Sequence, residues 1–272
     1  MFIGWIRKDT FQNDLEILSQ KLIIDKSLVS KTVQEDQSLS FGAYNKNGEL
    51  EAIVTAYTFQ NSILINNLFY TKEIEKDIIK RLFMILLKNS NQEEKSILFM
   101  SNKFEESILV DLGFKKYANF KKAVHSGQAV AFNFSNATSK SISNANYIPT
   151  VTKLDIDTFK ENRIDYILKV VAKQSSLMLS TKFGYQHSYA LSKDIIKISP
   201  WIMVDEAFTD AEKLIRGVLY HRGLKTIVSF IPSSRKEIVN LYKSYKFELV
   251  EDFGLMYINK KPNFNLDSIY GF

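Results

Sequence analysis

The two halves of this chain carry approximately the same order of predicted elements, and this repetition constrains the fold more than any other feature. Each half reads as a strand, a helix, several strands, a helix, a strand, a shorter helix and closing strands. Strands and helices in this order pack as a sheet that is flanked by helices. A self-similar order of this length indicates that one α/β unit has been duplicated.

A polar segment separates the two halves. Phe132–Pro149 is rich in Ser, Asn and Ala and has few large aliphatic side chains at its centre. Such a composition is typical of a linker, and Pro149 ends it. We therefore expect a boundary near residue 145, with an N-terminal domain over 1–140 and a C-terminal domain over 146–272. A chain of 272 residues is long enough for two compact domains.

In the first half, apolar periodicity and turn residues predict the elements. The predicted strands are Phe2–Ile6, Leu39–Asn45, Glu51–Phe59, Ser62–Phe69, Ser96–Met100, Phe114–Val124 and Ala129–Phe134. The predicted helices run from Asp9 or Thr10 to Ile24, over Lys72–Asn89 and over Phe104–Leu112. Asn45–Gly48 favours a hairpin turn because Asn and Gly tolerate positive φ. Gly113 is expected to end the last helix in the left-handed conformation.

The same patterns predict the elements of the second half. The predicted strands are Ile148–Lys153, Ser188–Leu191, Ile195–Val204, Lys225–Ile231, Glu248–Val250 and Leu255–Asn259. The predicted helices are Asp155–Ser175, Thr209–Arg222, and a last one that Ser233 or Ser234 caps and that ends near Ser244.

Composition excludes several kinds of site and partner. The chain has no cysteine, which excludes disulfides, thiolate catalysis and Cys-based zinc sites. Its three histidines are far apart in sequence, so we expect no metal. Met1–Thr10 lacks an apolar signal core, and the longest apolar run, Leu82–Leu87, is far shorter than a membrane span. We expect a cytoplasmic protein that has no membrane partner.

The net charge of +6 is spread over both halves. The nearest approach to a basic cluster is Lys115, Lys116, Lys121 and Lys122, which flank an aromatic predicted strand. Nucleic-acid binding usually needs basic residues clustered on one face. A solvated strand edge is the more frequent role of such lysines, so no nucleic-acid partner is expected.

A short predicted helix in each half carries a related pattern. Ile108–Phe114 reads ILVDLGF, and Leu241–Phe247 reads LYKSYKF. Each follows a strand-to-helix step and precedes another strand. This layout resembles the GNAT acyltransferase superfamily, in which the corresponding helix has a pattern close to L-Y-x-x-x-G-F.

The two copies match that pattern differently. The second keeps Leu241, Tyr242 and Phe247 but has Lys246 in place of the glycine. The first keeps the Gly-Phe pair but has Leu109 in place of the tyrosine. The second half also resembles C-terminal GNAT-like domains that follow a conventional one. The segments that match are Ser199-Pro200-Trp201, Asp205–Leu214, Leu241–Phe247 and Asp267–Phe272.

The resemblance implies an α/β (α+β) chain of two tandem GNAT-like acyl-CoA N-acyltransferase folds, each a mixed central sheet flanked by helices. It also implies a pyrophosphate site where the central strand leads into a helix, because a helix N-terminus offers free N–H donors. The family usually has a glycine-rich turn there. Tyr70–Asp77 in the first half has no glycine and three acidic residues, which favours an ordinary capped helix. Asp205–Glu212 in the second half also lacks glycine.

By resemblance, the candidate cofactor-binding residues are Thr209, Asp210 and Ala211, with the alternative that Thr209 or Asp210 is a plain N-cap. Tyr242 is the candidate general acid, with the alternative of a packing tyrosine. Asp205 and Glu206 are the candidate bases, with the alternative of a solvated strand end. The Gly-containing stretch Lys182–Tyr189, with Tyr185 and His187, is a candidate lining of an acceptor pocket.

No nucleophile elbow, P-loop or dinucleotide-binding glycine motif is present. The resemblance implies an N-acetyltransferase that uses acetyl-CoA as cosubstrate. In the implied reaction, a small amine acceptor attacks the thioester of acetyl-CoA directly. Any catalysis is expected in the C-terminal copy. The alternative is a catalytically degenerate ligand-binding or scaffold protein, because one copy lacks the tyrosine and both lack the glycine turn. A homodimer is left open.

Overall fold

The computed structural model describes residues 1–90, 94–128 and 148–272, which divide into two compact units. Unit 1 consists of Met1–Tyr117 and Gly254–Pro262, and unit 2 consists of Ala118–Phe253 and Asn263–Phe272. A segment near the C-terminus is thus part of unit 1, and the units are interleaved in sequence. The boundary expected near residue 145 and the strand predicted over Ala129–Phe134 lie outside the described residues. The division into 1–140 and 146–272 stays a prediction.

Unit 1 is built on a mixed sheet. In the order of the sheet, its strands are β1 (Phe2–Trp5), β2 (Ser40–Tyr44), β3 (Leu50–Thr58), β4 (Ser62–Tyr70), β5 (Ser96–Asn102) and the second part of β11 (Glu248–Asn259). Neighbours from β1 to β4 are antiparallel, and β4 and β5 are parallel. The helices of this unit are α1 (Phe11–Lys21), α2 (Lys26–Glu35), α3 (Lys76–Ser90) and α4 (Lys103–Asp111).

Two apolar clusters of unit 1 cover opposite faces of this sheet, because successive side chains of a strand point to opposite sides. One cluster joins α1 and α2 to the sheet and includes Phe11, Leu18 and Ile53. The other joins α3 and α4 to the sheet and includes Val54 and Phe83. The central strands are therefore covered by different helices on their two faces.

Unit 2 has a similar arrangement. In the order of the sheet, its strands are the first part of β11, β6 (Lys115–His125) from Ala118 onward, β10 (Thr226–Pro232), β9 (Ile195–Met203), β8 (Gly184–Ala190) and β7 (Leu177–Thr181), and β12 (Ile269–Gly271) pairs with β9. Only β9 and β10 form a parallel pair among the pairings recorded for this unit. The helices are α5 (Ile148–Phe159), α6 (Phe208–Arg222) and α7 (Lys236–Ser244), with a π-helical turn over Tyr166–Val171.

The start of the second half differs from the prediction. Ile148–Lys153 is the beginning of α5 and not a strand, because Pro149 fits the first turn of a helix and the buried positions recur at helical spacing. The buried residues of α5 are Val151, Asp155, Thr158 and Phe159. The single helix predicted over Asp155–Ser175 is wrong as well, since α5 ends at Phe159 and Lys160 follows with a φ of 60°.

Other boundaries also differ. The helix predicted to reach Ile24 ends at Lys21, because Asp25 caps a separate helix, α2, by accepting a hydrogen bond from the Leu28 N–H at 3.0 Å. The predicted cap of α7 is wrong, since the residue before this helix is Arg235 and makes no side-chain cap. Strands β7 and β12 were not predicted, and β11 is one strand where two were expected. The remaining strands and helices are confirmed within a few residues.

Candidate functional site

The parallel strands at the centre of unit 1 separate halfway along their length. Strands β4 and β5 pair from Ser62 with Ser96 to Ile65 with Phe99. Both strands continue beyond this register, to Tyr70 and Asn102. The continuing half of β4 is only partly buried at most positions. The recorded pairing between the two strands thus ends before the strands do, and we call the place between their unpaired ends the unit 1 cleft.

A β-bulge lies where the cleft begins. Ala56 of β3 pairs with Ile65 of β4, and the next pair joins Thr55 to Asn67, so Asn66 is an extra residue. An extra residue places two successive side chains on the same face of a strand. Asn66 and Asn67 accordingly both contact Thr55, and Asn66 reaches α2.

These two asparagines belong to a directional hydrogen-bond network. The Thr55 hydroxyl donates to Asn66 Oδ1 at 2.9 Å, Asn66 Nδ2 donates to Thr32 Oγ1 at 2.7 Å, and Thr32 donates to the Leu28 carbonyl at 2.8 Å. Asn67 Nδ2 donates to Thr55 Oγ1 at 2.8 Å and to Asn66 Oδ1 at 3.0 Å. Asn67 is 3% exposed, yet its Oδ1 accepts no hydrogen bond.

The sequence analysis missed this network, although a signal for it exists. Asparagine is depleted in strands, and two in succession interrupt an apolar run in β4. A residue pair that disfavours a strand is expected where a bulge or a polar site requires it.

The far end of the cleft carries a tyrosine and a carboxylate. The Tyr70 hydroxyl donates to Glu105 Oε1 at 3.2 Å. Glu105 lies in the first turn of α4, where a capping box with Asn102 fixes it: its Oε2 accepts the Asn102 N–H at 3.0 Å and its N–H donates to Asn102 Oδ1 at 2.9 Å. Leu109, which replaces the tyrosine of the family pattern, is fully buried. Tyr70 is thus the hydroxyl that the structure places at this end of β4.

The loop from β4 to α3 has the character of an ordinary helix entry. The Thr71 N–H donates to the Glu51 carbonyl at 3.0 Å, and the Ile74 N–H donates to the Thr71 carbonyl at 3.2 Å. Lys76 and Lys80 both lie 3.9 Å from the Asp111 carboxylate, at the surface. A phosphate group would find basic side chains here but no glycine turn.

The corresponding gap in unit 2 is filled. Strands β9 and β10 pair only from Ile195 with Thr226 to Lys197 with Val228. Beyond this register β12 pairs with β9, Ile269 with Ile202 and Gly271 with Trp201, and the Phe272 N–H donates to the Phe230 carbonyl of β10 at 2.9 Å. The last four residues of β9 are all buried, unlike the corresponding half of β4. The C-terminal strand of the chain thus occupies the place where unit 1 has its cleft.

Tyr242, the candidate acid, lies in the core of unit 2. It is fully buried, and its hydroxyl donates to the Tyr270 carbonyl of β12 at 2.8 Å and lies 3.1 Å from Ser229 Oγ. Its ring centroid is 5.6 Å from that of Trp201. Burial raises the pKa of the Tyr242 hydroxyl well above its ordinary value. These contacts are those of a packing tyrosine, and its catalytic role stays a prediction.

The candidate bases are exposed. Asp205 Oδ1 accepts the Glu206 N–H at 3.0 Å and lies 3.2 Å from Arg235 Nη2. Arg235 also pairs with Asp267, just before β12, at 2.8 Å. Glu206 has a φ of 62°, in the left-handed region. The Asp205 carboxylate is therefore held in a surface ion pair with Arg235. The role of Asp205 and Glu206 as bases stays a prediction.

The candidate cofactor-binding residues follow in the first turn of α6, which begins at Phe208 and has no side-chain cap. Asp210 Oδ1 lies 3.4 Å from Lys213 Nζ, and Thr209 is exposed. Ala211 is buried, and its N–H donates to the Ala207 carbonyl at 3.0 Å, within the helix. The structure brings these residues together with Asp205 and Glu206 at one strand-to-helix turn, and whether they bind a cofactor stays a prediction.

The candidate acceptor-pocket residues of unit 2 are held in internal networks. His187 lies between the Ser199 carbonyl and Ser176 Oγ, each 2.8 Å from a ring nitrogen, and burial lowers its pKa to about 4. The Tyr185 hydroxyl donates at 3.0 Å to Asp155 Oδ1, which also binds buried Arg163. Both side chains therefore stabilise the fold.

The lysines of the aromatic strand are mostly engaged in ion pairs. Lys116 lies 2.6 Å from Glu106, Lys121 lies 2.6 Å from Asp252, and Lys122 lies 3.6 Å from Glu251. Within residues 1–90, 94–128 and 148–272, no group of three or more His, Asp or Glu side chains is arranged to hold a metal ion. No helix in the same ranges is long and apolar enough to span a membrane.

No family model matches the sequence, and no curated protein matches it. Solved structures, however, match its fold over nearly the whole chain. A protein from Pyrococcus horikoshii that is proposed to be an acetyltransferase is 16% identical, with a TM-score of 0.78 over 99% of this chain and 93% of its own.

Two further solved structures support the same fold. N-myristoyltransferase from Saccharomyces cerevisiae, solved with myristoyl-CoA, is 9% identical, with a TM-score of 0.64 over 95% of this chain and 78% of its own. A tandem GNAT protein from the clavulanic acid biosynthesis pathway is 10% identical, with a TM-score of 0.57 over 80% of this chain and 81% of its own. The predicted fold class, that of the GNAT acyltransferases, is thereby confirmed.

Proposed function

We propose that this chain is an acyl-CoA-dependent N-acyltransferase whose acyl donor binds in the unit 1 cleft. The observation that carries this proposal is the contrast between the two parallel strand pairs. Beyond Ile65 the half of β4 that lines the cleft is partly exposed, whereas the same half of β9 is buried by β12. In the family that this fold resembles, the acyl-CoA lies between the separated strands. Among the strands that the structure describes, a further strand is paired at this place in unit 2 and none is in unit 1.

The reaction is a direct transfer. The amine nitrogen of the acceptor attacks the thioester carbonyl carbon and forms a C–N bond. The C–S bond breaks, and CoA leaves as a thiolate. The amine loses a proton, and the thiolate gains one. Backbone N–H groups of β4, which the bulge at Asn66 turns out of regular pairing with β3, polarise the carbonyl oxygen.

We assign the acid that protonates the thiolate to Tyr70. Its hydroxyl lies at the end of β4 and is oriented by Glu105, whose position the capping box of α4 fixes. Proton transfer by a positioned side chain typically contributes about 10²–10⁴-fold to rate. Lys72 lies in the loop that would meet the CoA phosphates, and Lys76 and Lys80 follow it at the start of α3.

Acetyl-CoA is the donor that we propose, with a small primary amine as acceptor. The candidates in unit 2 form a separate hypothesis that includes Tyr242, Asp205, Glu206 and 209–211. It requires β12 to leave its place between β9 and β10, since Tyr242 is hydrogen-bonded to Tyr270 of that strand.

A second function is favoured by two departures from the family pattern. The short helix of unit 1 has Leu109 where the family pattern has a tyrosine, and the phosphate loop lacks glycine. Under this alternative the unit 1 cleft binds an acyl-CoA or another ligand without transferring a group. Binding without turnover would support it.

The test combines binding with turnover. A ligand at a hundred times its dissociation constant adds about 2.7 kcal/mol to the free energy of unfolding, which thermal melting with acetyl-CoA detects. Release of CoA thiol in the presence of primary amines can be followed with a thiol reagent, because the chain has no cysteine to react. Absence of a melting shift with acetyl-CoA and with longer acyl-CoAs would refute the proposal.

Two variants locate the donor site. Met100→Trp places a large side chain at a partly buried position of β5 in the unit 1 cleft and should abolish the acetyl-CoA shift. Thr209→Val combined with Asp210→Asn alters the α6 turn of unit 2 and should leave the shift unchanged. The opposite pair of results would place the donor in unit 2.

A further inference from the structure

Asn67 has an acceptor atom that the folded chain leaves unused. Its side chain is 3% exposed, and its Oδ1 accepts no hydrogen bond. Buried polar atoms nearly always have a partner, so an unpartnered one asks for an explanation such as a ligand.

Rotation of the amide cannot supply a partner. The Asn67 Nδ2 group donates to Thr55 Oγ1 and to Asn66 Oδ1 at 2.8 and 3.0 Å. A flipped amide would set its oxygen against Asn66 Oδ1, which is itself an acceptor and already receives the Thr55 hydroxyl at 2.9 Å. The direction of the whole network is fixed at its other end, where Thr32 donates to the Leu28 carbonyl at 2.8 Å. The network therefore keeps the Asn67 carbonyl oxygen on the side of the amide that faces away from Thr55 and Asn66.

The position of this oxygen relates it to the unit 1 cleft. Asn67 is the second residue of β4 after the last pair with β5, Ile65 with Phe99. The bulge at Asn66 sets both asparagine side chains on the α2 face of the sheet, opposite the α3 and α4 face. The groups that hold Asn67 are hydroxyls and amides, so the oxygen is a neutral acceptor that suits an N–H donor.

We infer that the Asn67 carbonyl oxygen accepts an N–H of the acceptor amine and so fixes the amine nitrogen beside the thioester. This inference rests on the proposed function. The ligand class is a primary amine, held through hydrogen bonding and not through a carboxylate. Asn67 binds and orients the acceptor amine, and it does not take the proton that the amine loses.

The pantetheine arm of an acyl-CoA also contains amide N–H groups, so kinetics must separate the two sources. The variant is Asn67→Leu, which keeps the volume and removes the acceptor. The matched control is His125→Phe in unit 2, since His125 is 1% exposed and its Nε2 has no partner. Thermal melting of each variant alone establishes that it folds.

Turnover is measured with acetyl-CoA and three probe amines, namely benzylamine, 1,4-diaminobutane and glycinamide. In Asn67→Leu, KM for the amine should rise about tenfold, the size expected for one hydrogen bond to a charged group, while KM for acetyl-CoA stays constant. In His125→Phe both KM values should match those of the unaltered protein. The Asn67 side-chain NH₂ resonance, assigned by its loss in the variant, should move when the amine is added and stay in place when desulfo-CoA is added.

Each other outcome overturns the inference in a distinguishable way. A rise in KM for acetyl-CoA alone would assign the oxygen to the pantetheine arm. Normal kinetics in Asn67→Leu, or an unmoved resonance with all three amines, would remove Asn67 from the acceptor site while the proposed function stands. Failure of the unaltered protein to bind acetyl-CoA would refute the proposed function itself, and this inference with it.

Discussion

Replacement of Tyr242 by phenylalanine separates its structural role from a catalytic one. The substitution removes only a hydroxyl, which is fully buried and donates to the Tyr270 carbonyl at 2.8 Å. In the variant this carbonyl, on a β12 residue that is 1% exposed, loses its donor. The second partner, Ser229 Oγ, still donates to the Ile198 carbonyl at 3.3 Å. The Tyr270 carbonyl is therefore the one buried group that loses its partner.

One buried acceptor without its donor costs about 1–3 kcal/mol. For a protein of this size, about 2 kcal/mol corresponds to a fall in melting temperature of roughly 4–8 °C. Urea unfolding followed by tryptophan fluorescence measures the loss directly, because Trp201 lies 5.6 Å from Tyr242 in the same core. The other tryptophan, Trp5, is 57% exposed and contributes a steadier signal.

The matched control is Tyr245→Phe on the same helix. Tyr245 is 7% exposed, but its hydroxyl partners Glu212, at 2.7 Å, and Arg216, at 2.5 Å, are 43% and 38% exposed. Hydrogen bonds to such exposed charged groups are worth about 0–1 kcal/mol. We expect Tyr242→Phe to lose clearly more stability than Tyr245→Phe and to keep its turnover below the melting transition. A variant of unchanged stability that has lost turnover more than tenfold would refute this reasoning and make Tyr242 the acid.

Three further outcomes are expected. Tyr70→Phe should lower kcat by about 10²-fold with little change in KM for acetyl-CoA, if Tyr70 protonates the thiolate; an unchanged kcat would exclude it. Burial near Lys173 and Arg222 lowers the pKa of His187 to about 4, so the neutral form stabilises the fold above pH 6.5 and this contribution is lost as pH falls through 4. The loss in free energy of unfolding amounts to about 3 kcal/mol, at about 1.36 kcal/mol per pKa unit. The urea midpoint should therefore fall between pH 6.5 and pH 4, and its dependence on pH should be weaker in His187→Gln. An equal pH dependence in both proteins would contradict this expectation. Arg163→Leu should destabilise unit 2 by about 3–5 kcal/mol, because it strands the fully buried Asp155 carboxylate, and a loss below about 1 kcal/mol in urea unfolding would show that this pair matters little.

Most elements of this fold follow from local patterns. The hairpin at Asn45–Gly48 is confirmed, with Gly48 at a φ of 80°, and so is the left-handed stop at Gly113, with a φ of 88°. The start of the second half was mistaken because Ile148–Lys153 has too few residues to separate a period of two from one of 3.6. Pro149 was taken as the end of a linker, whereas the first turn of a helix also accommodates proline.

The candidate site depends on contacts that sequence patterns do not specify. Tyr242 matches the family pattern, but its accessibility depends on β12, a short strand far along the chain. The cleft in unit 1 depends on how far β4 and β5 stay paired. The Asn66–Asn67 pair carried a local signal, yet the bulge that turns both side chains to one face is a property of the sheet.

The place of Gly254–Pro262 in unit 1 bears on how this protein is synthesised. The ribosome completes Met1–Tyr117 long before it reaches this segment, by roughly 7 to 27 seconds at about 5–20 residues per second. During that interval Met256 is absent from the core of the unit, and Ser101 lacks the Gly254 carbonyl that accepts its hydroxyl at 3.2 Å. The edge of β5 is then exposed to other nascent chains. The N-terminal unit is therefore made first but completed last, and a chain that stops before residue 254 should be a substrate for chaperones and proteases.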